Sequence, residues 1–480
     1  MRSPGAFRGS NSDGPMLKLK DTLTGKLQDF QPLEGNHVRM YACGPTVYDF
    51  AHIGNFRTYV YEDILRRWLK FKGYQLTHVM NITDVDDKTI RDSKAKELAQ
   101  LRAYTERYAR CFFEDCMALS IERPDKVVNA TDHIPDMVHL IQKLVESGHA
   151  YKKDDSYYFK ISTYPKYGQL AKLDFDGMKI GASVDIDEYE KEDVRDFALW
   201  KAPKDEEPFW DTPIGKGRPG WHIECSAMSM HYLGASFDIH CGAVDNIFPH
   251  HENEIAQSEC ATGKPFVRLW LHGEHLMVNG EKMSKSKGNF FTLRDLLGKG
   301  DSPRAIRYTL SSVPYRKPLN FTSESVQQAQ SAIGRLEEFL LRFETDTFPE
   351  GVNERVEEAC RTARDKFVAG LDDDLNTAGA LGAIFEFVRQ GNTAIGEGSL
   401  CQGNVASIST LFDDFQAIFP VLKDPTRQIL DSQIEALIAE RNQARRERNF
   451  KKADEIRDQL LAQGIILEDT RAGLRWKRKE

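Results

Sequence analysis

Between residues 38 and 82 the apolar positions change period twice. Val38-Arg39-Met40-Tyr41-Ala42 alternates apolar and polar side chains and runs into Cys43-Gly44-Pro45, the pattern of a strand ended by a breaking loop. Val60, Ile64, Leu65, Trp68 and Leu69 then recur at helical spacing until Gly73, and Gln75 to Ile82 reads as a second strand. Strand, loop, helix and strand within about forty residues make a βαβ unit, which favours a parallel sheet with ligand sites beyond the carboxyl ends of its strands. Cys43 and Thr83 fall at such ends.

The texture changes from Thr131 to Leu199, where a helix, the Tyr157-Tyr158-Phe159 hairpin-like stretch and an acidic segment, Asp185 to Asp196, follow one another. This reads as an insertion between the two halves of a nucleotide fold. The parallel pattern returns at Trp221, with strands expected at Phe237–His240 and Val267–His272 and a helix opening near Pro249. Beyond Ser302 helical periodicity dominates, broken near Phe348-Pro349-Glu350-Gly351 and around Gly391 to Gly403, and Ser432 to Gly464 reads as a charged amphipathic helical pair. The expected architecture is α/β: a Rossmann-type parallel-sheet catalytic domain with an inserted connective domain, followed by an all-α C-terminal region.

Bulk properties narrow this picture. At 480 residues the chain exceeds one hydrophobic core, so two to four domains are expected, and 40% hydrophobic with 29% charged residues suits an ordinary globular enzyme. A net charge of -8 excludes a uniformly basic nucleic-acid binder while allowing a local basic face. From Ile434 to Glu480 there are 12 Lys/Arg against 9 Asp/Glu, a slight excess of that kind. Eight cysteines without a CxxC pair do not form a disulfide framework, and a reducing cytoplasm is the expected setting. Met1 to Met16 is Gly/Ser/Pro-rich without the apolar core of a signal peptide and reads as a disordered extension. No apolar run is long enough to span a bilayer, so no membrane role is expected.

Three constellations carry candidate chemistry. Lys282-Met283-Ser284-Lys285-Ser286, continued by Lys287-Gly288-Asn289, sets two lysines on a Ser/Gly-rich loop that can embrace a polyphosphate. Far upstream, His52-Ile53-Gly54-Asn55 brings an imidazole, a close-approach glycine and a helix amino terminus together, which suits a phosphate under attack. Finally Cys43, Cys225, His250 and Glu254 are of metal-ligand type, and the last two share a helix face at four residues' separation. Two thiolates, an imidazole and a carboxylate would favour zinc. Their spacing alone does not choose between a metal site and two buried cysteines beside a solvated helix face.

The ordered motifs CGPTVYDFAHIGN, NITDVDDK, GWHIECSAMS, FPHHENEIAQS and EKMSKSKGN resemble those of the cysteinyl-tRNA synthetases, within the class I aminoacyl-tRNA synthetases, from about Leu17 to the carboxyl terminus. That resemblance implies an ATP-dependent, AMP-forming ligase that makes cysteinyl-adenylate and transfers cysteine to tRNA(Cys). Its implied partners are ATP with Mg2+, L-cysteine and tRNA(Cys), and its working form is expected to be a monomer. It places one zinc on Cys43, Cys225, His250 and Glu254, Thr83 and Trp221 with Cys43 and His250 in the amino-acid pocket, and His52, Asn55, Lys282 and Lys285 in the catalytic and ATP site. The position of Asn55 departs from the histidine of the family signature, so it keeps a hydrogen-bonding group without a charge. His222, His251 and Glu252 are expected beside the metal ligands or in the pocket rather than on the metal.

The implied domains are an extension at 1–16, catalytic halves at 17–130 and 201–300, a connective insertion at 131–200, a stem-contact segment at 301–345, a helical bundle at 346–430 and an anticodon-binding domain at 431–480. Arg445, Arg446, Arg448, Lys451, Lys452 and Arg475-Trp476-Lys477-Arg478-Lys479 could meet phosphates and one base there. A ligase that joins cysteine to an aminosugar resembles the same motifs, but it needs no such tail. A non-catalytic RNA binder on the same scaffold is opposed by the intact motifs.

Overall fold

The alternating run at the start of the chain forms the middle strand of a five-stranded parallel sheet, β1 (His37–Ala42). In this computed structural model, residues 16–173, 195–204, 206–284, 288–423, 437–445, 449–462, 465–470 and 473–478 are described. Residues 1–15, most of the acidic segment and Lys285 lie outside them. Beside β1 stand β2 (Gln75–Ile82), β3 (Lys126–Asn129), β4 (Phe237–Ala243) and β5 (Val267–Gly273), in the order 3-2-1-4-5 with every neighbouring pair parallel. The strand order reverses between β1 and β4, and the crevice at their carboxyl ends is where a doubly wound sheet takes its ligand. Val38, Met40, Tyr41, Phe237, Ile239 and Leu271 are wholly or almost wholly buried, as expected of strands covered on both faces.

Helix α1 (Ile53–Phe71) follows β1, with His52 as its N-cap. Its apolar face packs on the sheet, and its polar residues are buried too because a helix from further along the chain, Pro303–Ser311, covers them. Arg57 donates to the carbonyl oxygens of Leu310 and Val313, and Asp63 is paired with Arg67 at 2.8 Å and with Arg307. Burial works against the Asp63 carboxylate, yet the two guanidinium groups hold it below the usual carboxylate range. Gly73, at φ +86°, lets the chain turn from α1 into β2.

After β3 comes α2 (Ile134–Glu146), the first helix of the insertion. A second sheet follows, antiparallel throughout: Ala150–Lys153, Ser156–Phe159, Phe197–Lys201, Gly215–Pro219 and Trp210–Thr212 in spatial order. It continues past residue 200 and ends where α3 (Trp221–Leu233) begins. Helix α4 (Glu252–Thr262) lies between β4 and β5 and is entered through a π-helical turn, Ile247–His251. Four longer helices complete the first compact unit: Ser323–Thr345, Glu354–Asp372, Thr377–Gly396 and Val405–Ile418.

The second unit, Leu422–Glu480, contains the helix Phe450–Ala462 around Ile456, Leu460 and Ile465. To its helices the tail adds an antiparallel hairpin, Ile465–Thr470 with Gly473–Arg478. Within it Lys452 pairs with Glu440 at 2.8 Å, and Arg445 is exposed. Arg446, Arg448 and Lys479 lie outside the described residues, as do the side chains of Lys451 and Arg475–Arg478.

Candidate active site and metal centre

β1 ends at Ala42, so Cys43 projects from the carboxyl edge of the sheet, tied to β4 by its N–H donating to the Cys241 carbonyl. His250 and His251 arrive from the π-helical turn and Glu254 from the first turn of α4. One ligand atom each of Cys43, His250, His251 and Glu254 falls within 4.8 Å of the others. Cys43 Sγ is 3.2 Å from His251 Nε2, and His250 Nε2 is 3.1 Å from Glu254 Oε1. Gly242 makes room for this, since a Cβ there would stand 2.7 Å from His251 Cε1.

Of the expected ligands the structure thus joins Cys43, His250 and Glu254, and it adds His251 from the group expected beside them. Cys225, on α3, is buried, and its thiol lies near Cys43 and Tyr41. His222 Nδ1 lies 3.0 Å from His250 Nδ1. Glu252 turns away from the cluster and accepts the backbone N–H groups of Gly168, Leu170 and Ala171 at 2.7 to 2.9 Å, which pins the insertion to α4.

The outer contacts orient these groups. Glu254 Oε2 meets His240 Nε2 at 2.9 Å, and His251 Nδ1 meets His272 Nε2 at 2.8 Å. Each partner comes from a strand of the parallel sheet, β4 or β5, so the ring orientations are set by the sheet itself. Sequence reading missed both histidines, which share their mainly apolar strands with one charged residue each, Asp238 in β4 and Arg268 in β5.

Does this pocket suit a cation? Burial drives His250 down to about 3, so the ring is neutral and keeps a lone pair. Burial also pushes the Cys43 thiol well up, with the neighbouring Cys225 thiol as the next cause. Glu254 Oε1 is fully buried and takes no hydrogen bond, although His250 Nε2 stands 3.1 Å away, a costly state for a carboxyl oxygen. A neutral imidazole, a carboxyl oxygen and a thiol turned on the same space are donors that a cation takes. The donor set, soft sulfur with nitrogen and one oxygen, fits zinc.

Two further residues were expected in the amino-acid pocket. Trp221, first residue of α3 and 37% exposed, stacks on His250 with ring centroids 4.2 Å apart. Thr83, directly after β2, is buried, and its Oγ1 accepts Asn81 Nδ2 at 3.0 Å. Asn81 Oδ1 accepts the Gly44 N–H at 2.9 Å, which links the loop carrying Cys43 to the end of β2.

The two phosphate motifs meet at the start of α1. His52 Nδ1 accepts the Asn55 N–H at 3.2 Å while Asn55 Oδ1 accepts the His52 N–H at 3.0 Å, a reciprocal cap. A ring that accepts at Nδ1 and is neutral carries its proton on Nε2, as a donor. A methyl group at Gly54 would approach Met283 Cε to 2.8 Å, so glycine is what lets the lysine-bearing loop lie on the helix start. Lys282 ends a short strand, and Asn289 closes the loop by accepting the Ser284 N–H at 2.8 Å and donating to the Lys282 carbonyl at 3.3 Å.

Comparison with known proteins gives a consistent result. Residues 29–331 match the family of tRNA synthetases class I (C) catalytic domains, residues 366–423 the DALR domain, and residues 427–476 the cysteinyl-tRNA ligase anticodon binding domain. A cysteine–tRNA ligase from Solibacter usitatus is 55% identical over 96% of this chain and 100% of its own length. One from Koribacter versatilis is 51% identical with the same two coverages. Among solved structures, Mycobacterium tuberculosis methionyl-tRNA synthetase in complex with methionyl-adenylate has the same fold, with a TM-score of 0.58 at 16% identity over 80% of this chain and 89% of that one.

Proposed function

The chain belongs to the cysteine–tRNA ligase family, and from that premise we infer how its site works. It is an ATP-dependent ligase of the class I synthetases that uses ATP, cysteine and tRNA. A carboxylate oxygen of cysteine attacks the α-phosphate of Mg-ATP, pyrophosphate leaves, and cysteinyl-adenylate results. The terminal ribose hydroxyl of tRNA(Cys) then attacks the carbonyl carbon and loses its proton, and AMP departs.

In the proposed site Cys43, Cys225, His250 and Glu254 would hold one zinc ion, with His251 keeping Cys43 in place. Zinc when bound supplies a borderline-soft Lewis acid, a better partner for a substrate sulfur than for a hydroxyl. That matters because shape alone separates cysteine from serine by only ~1–3 kcal/mol. Trp221 and Thr83 form walls of the amino-acid pocket. His52 donates from Nε2 to the α-phosphate region, with Asn55 fixing its ring, and Lys282 and Lys285 neutralise the β- and γ-phosphates. Support for this assignment rests above all on the buried, unpartnered Glu254 Oε1 beside neutral His250 and Cys43.

The functional division proposed is the one implied by the sequence, with catalysis in 17–130 and 201–300, the insertion at 131–200, a stem-contact segment at 301–345, a bundle at 346–430 and anticodon recognition at 431–480. The working form proposed is a cytoplasmic monomer. The eight cysteines are free, and no described helix is long and apolar enough to cross a membrane. A chain truncated before Ser432 is expected to keep cysteine-dependent ATP–pyrophosphate exchange and to charge tRNA(Cys) at least about 100-fold more slowly, through loss of its phosphate and base contacts. Unimpaired charging of tRNA by the truncated chain would refute the tail's role.

A further inference from the structure

We propose that His133, Asp136 and His231 form a second metal site, on the far end of α3 from the first, which takes a divalent transition-metal ion such as Zn2+. His133 stands at the N-cap of α2, Asp136 in its first turn, and His231 in the last turn of α3. Both imidazoles turn Nδ1 to the same carboxylate, His133 at 2.9 Å from Oδ2 and His231 at 2.9 Å from Oδ1. One ligand atom from each of the three lies within 4.8 Å of the others. Two imidazole nitrogens and one carboxylate oxygen are the donors that suit zinc, cobalt or nickel, and they leave coordination positions for water.

The surroundings complete what such a site needs. A metal-bound histidine is normally steadied by a hydrogen bond at its other nitrogen. Tyr232 OH holds that position, 3.2 Å from His133 Nε2, and the Tyr232 ring is itself covered by Lys126 Nζ at 4.6 Å. His133 is buried whereas the His231 and Asp136 side chains are 46% and 34% exposed, which gives an ion a route in. Without metal, the carboxylate is bridged by the two Nδ1–H groups. An ion takes the place of those two hydrogens, and each neutral ring then keeps its proton on Nε2, which in His133 faces Tyr232 OH.

Cys225 and His231 are six residues apart on α3, about 9 Å along the helix axis at 1.5 Å per residue. The second site therefore ties the far end of α3 to α2, the first helix of the insertion, and stands apart from the first centre in every ligand.

Calorimetric titration of the full-length protein with Zn2+ tests this. The wild type should bind one equivalent beyond that of the first centre, and more weakly, because fewer protein ligands hold it. His231→Gln and Asp136→Asn should each weaken that equivalent about 100-fold or more while sparing pyrophosphate exchange. Cys43→Ala should keep it and lose the other, which separates failure here from failure of the first assignment. Zn2+ should also raise the Tm of Cys43→Ala and not that of the Cys43→Ala/His231→Gln double variant. Absence of an additional equivalent in the wild type, or its persistence in both single variants at this site, overturns the proposal.

Discussion

Cys43→Ala is expected to lose its bound zinc and to lower kcat/KM for cysteine in ATP–pyrophosphate exchange by about 1,000-fold, on the order of 4 kcal/mol at 1.36 kcal/mol per tenfold. The thiol sits at the carboxyl end of β1, in contact with His251 and Cys225, inside a pocket whose burial disfavours every isolated charge. Removing it leaves Cys225, His250 and Glu254, one ligand short of a closed four-coordinate set. Elemental analysis and exchange kinetics on the same preparation measure both effects. A variant that keeps one zinc per chain and wild-type exchange would contradict the assignment. The comparison of His251→Ala with Cys225→Ala resolves the fourth position. Full loss of metal in Cys225→Ala with retention in His251→Ala supports the thiol, and the reverse gives the place to His251.

Lys285→Ala is expected to slow exchange by about 100- to 1,000-fold with zinc content unchanged, the scale of losing one group aimed at developing charge in a water-poor site. Lys282→Ala should act in the same direction. The physical reason is the number of negative charges that pyrophosphate carries away, against which His52 offers only a neutral donor. The loop is fixed for this purpose at two points, Met283 against Gly54 and Asn289 across the neck of the loop. Exchange at the wild-type rate in Lys285→Ala would remove this lysine from the chemistry.

Much of the catalytic sheet was legible from periodicity. The strand expected at Gln75–Ile82 occupies those residues, β1 begins one residue before the expected Val38, and β4 and β5 contain the runs expected at Phe237–His240 and Val267–His272. These strands are buried on both faces, so their apolar runs are long, and glycine or a breaking loop ends them. Cys43 and Thr83 could be placed at strand ends for the same reason. His250 and Glu254 could be paired because four residues on a helix share a face.

What stayed hidden depends on contacts between distant segments. His251 also lies one helical turn from Glu254, but only the π-helical turn and the missing side chain of Gly242 direct its ring to Cys43. His240 and His272 lie in mainly apolar strands, and nothing local marks them as partners of Glu254 and His251. Asn81 looked like part of a motif, whereas its function in the fold is to join the Gly44 N–H to Thr83. The terminal hairpin was masked by charge, since Arg475, Lys477 and Arg478 weaken the apolar signal by which a strand is recognised.

The central claim, that a metal held by Cys43 and its neighbours selects the substrate thiol, is tested most directly by substrate preference before and after metal removal. Pyrophosphate exchange with cysteine and with serine should be measured on the zinc-loaded enzyme, on the same enzyme after chelation, and after zinc is restored. The account predicts a large preference for cysteine in the loaded enzyme, its collapse toward the ~10–200-fold that pocket shape alone provides, and its recovery with zinc. A metal-free enzyme that still prefers cysteine as strongly as the loaded one would contradict it.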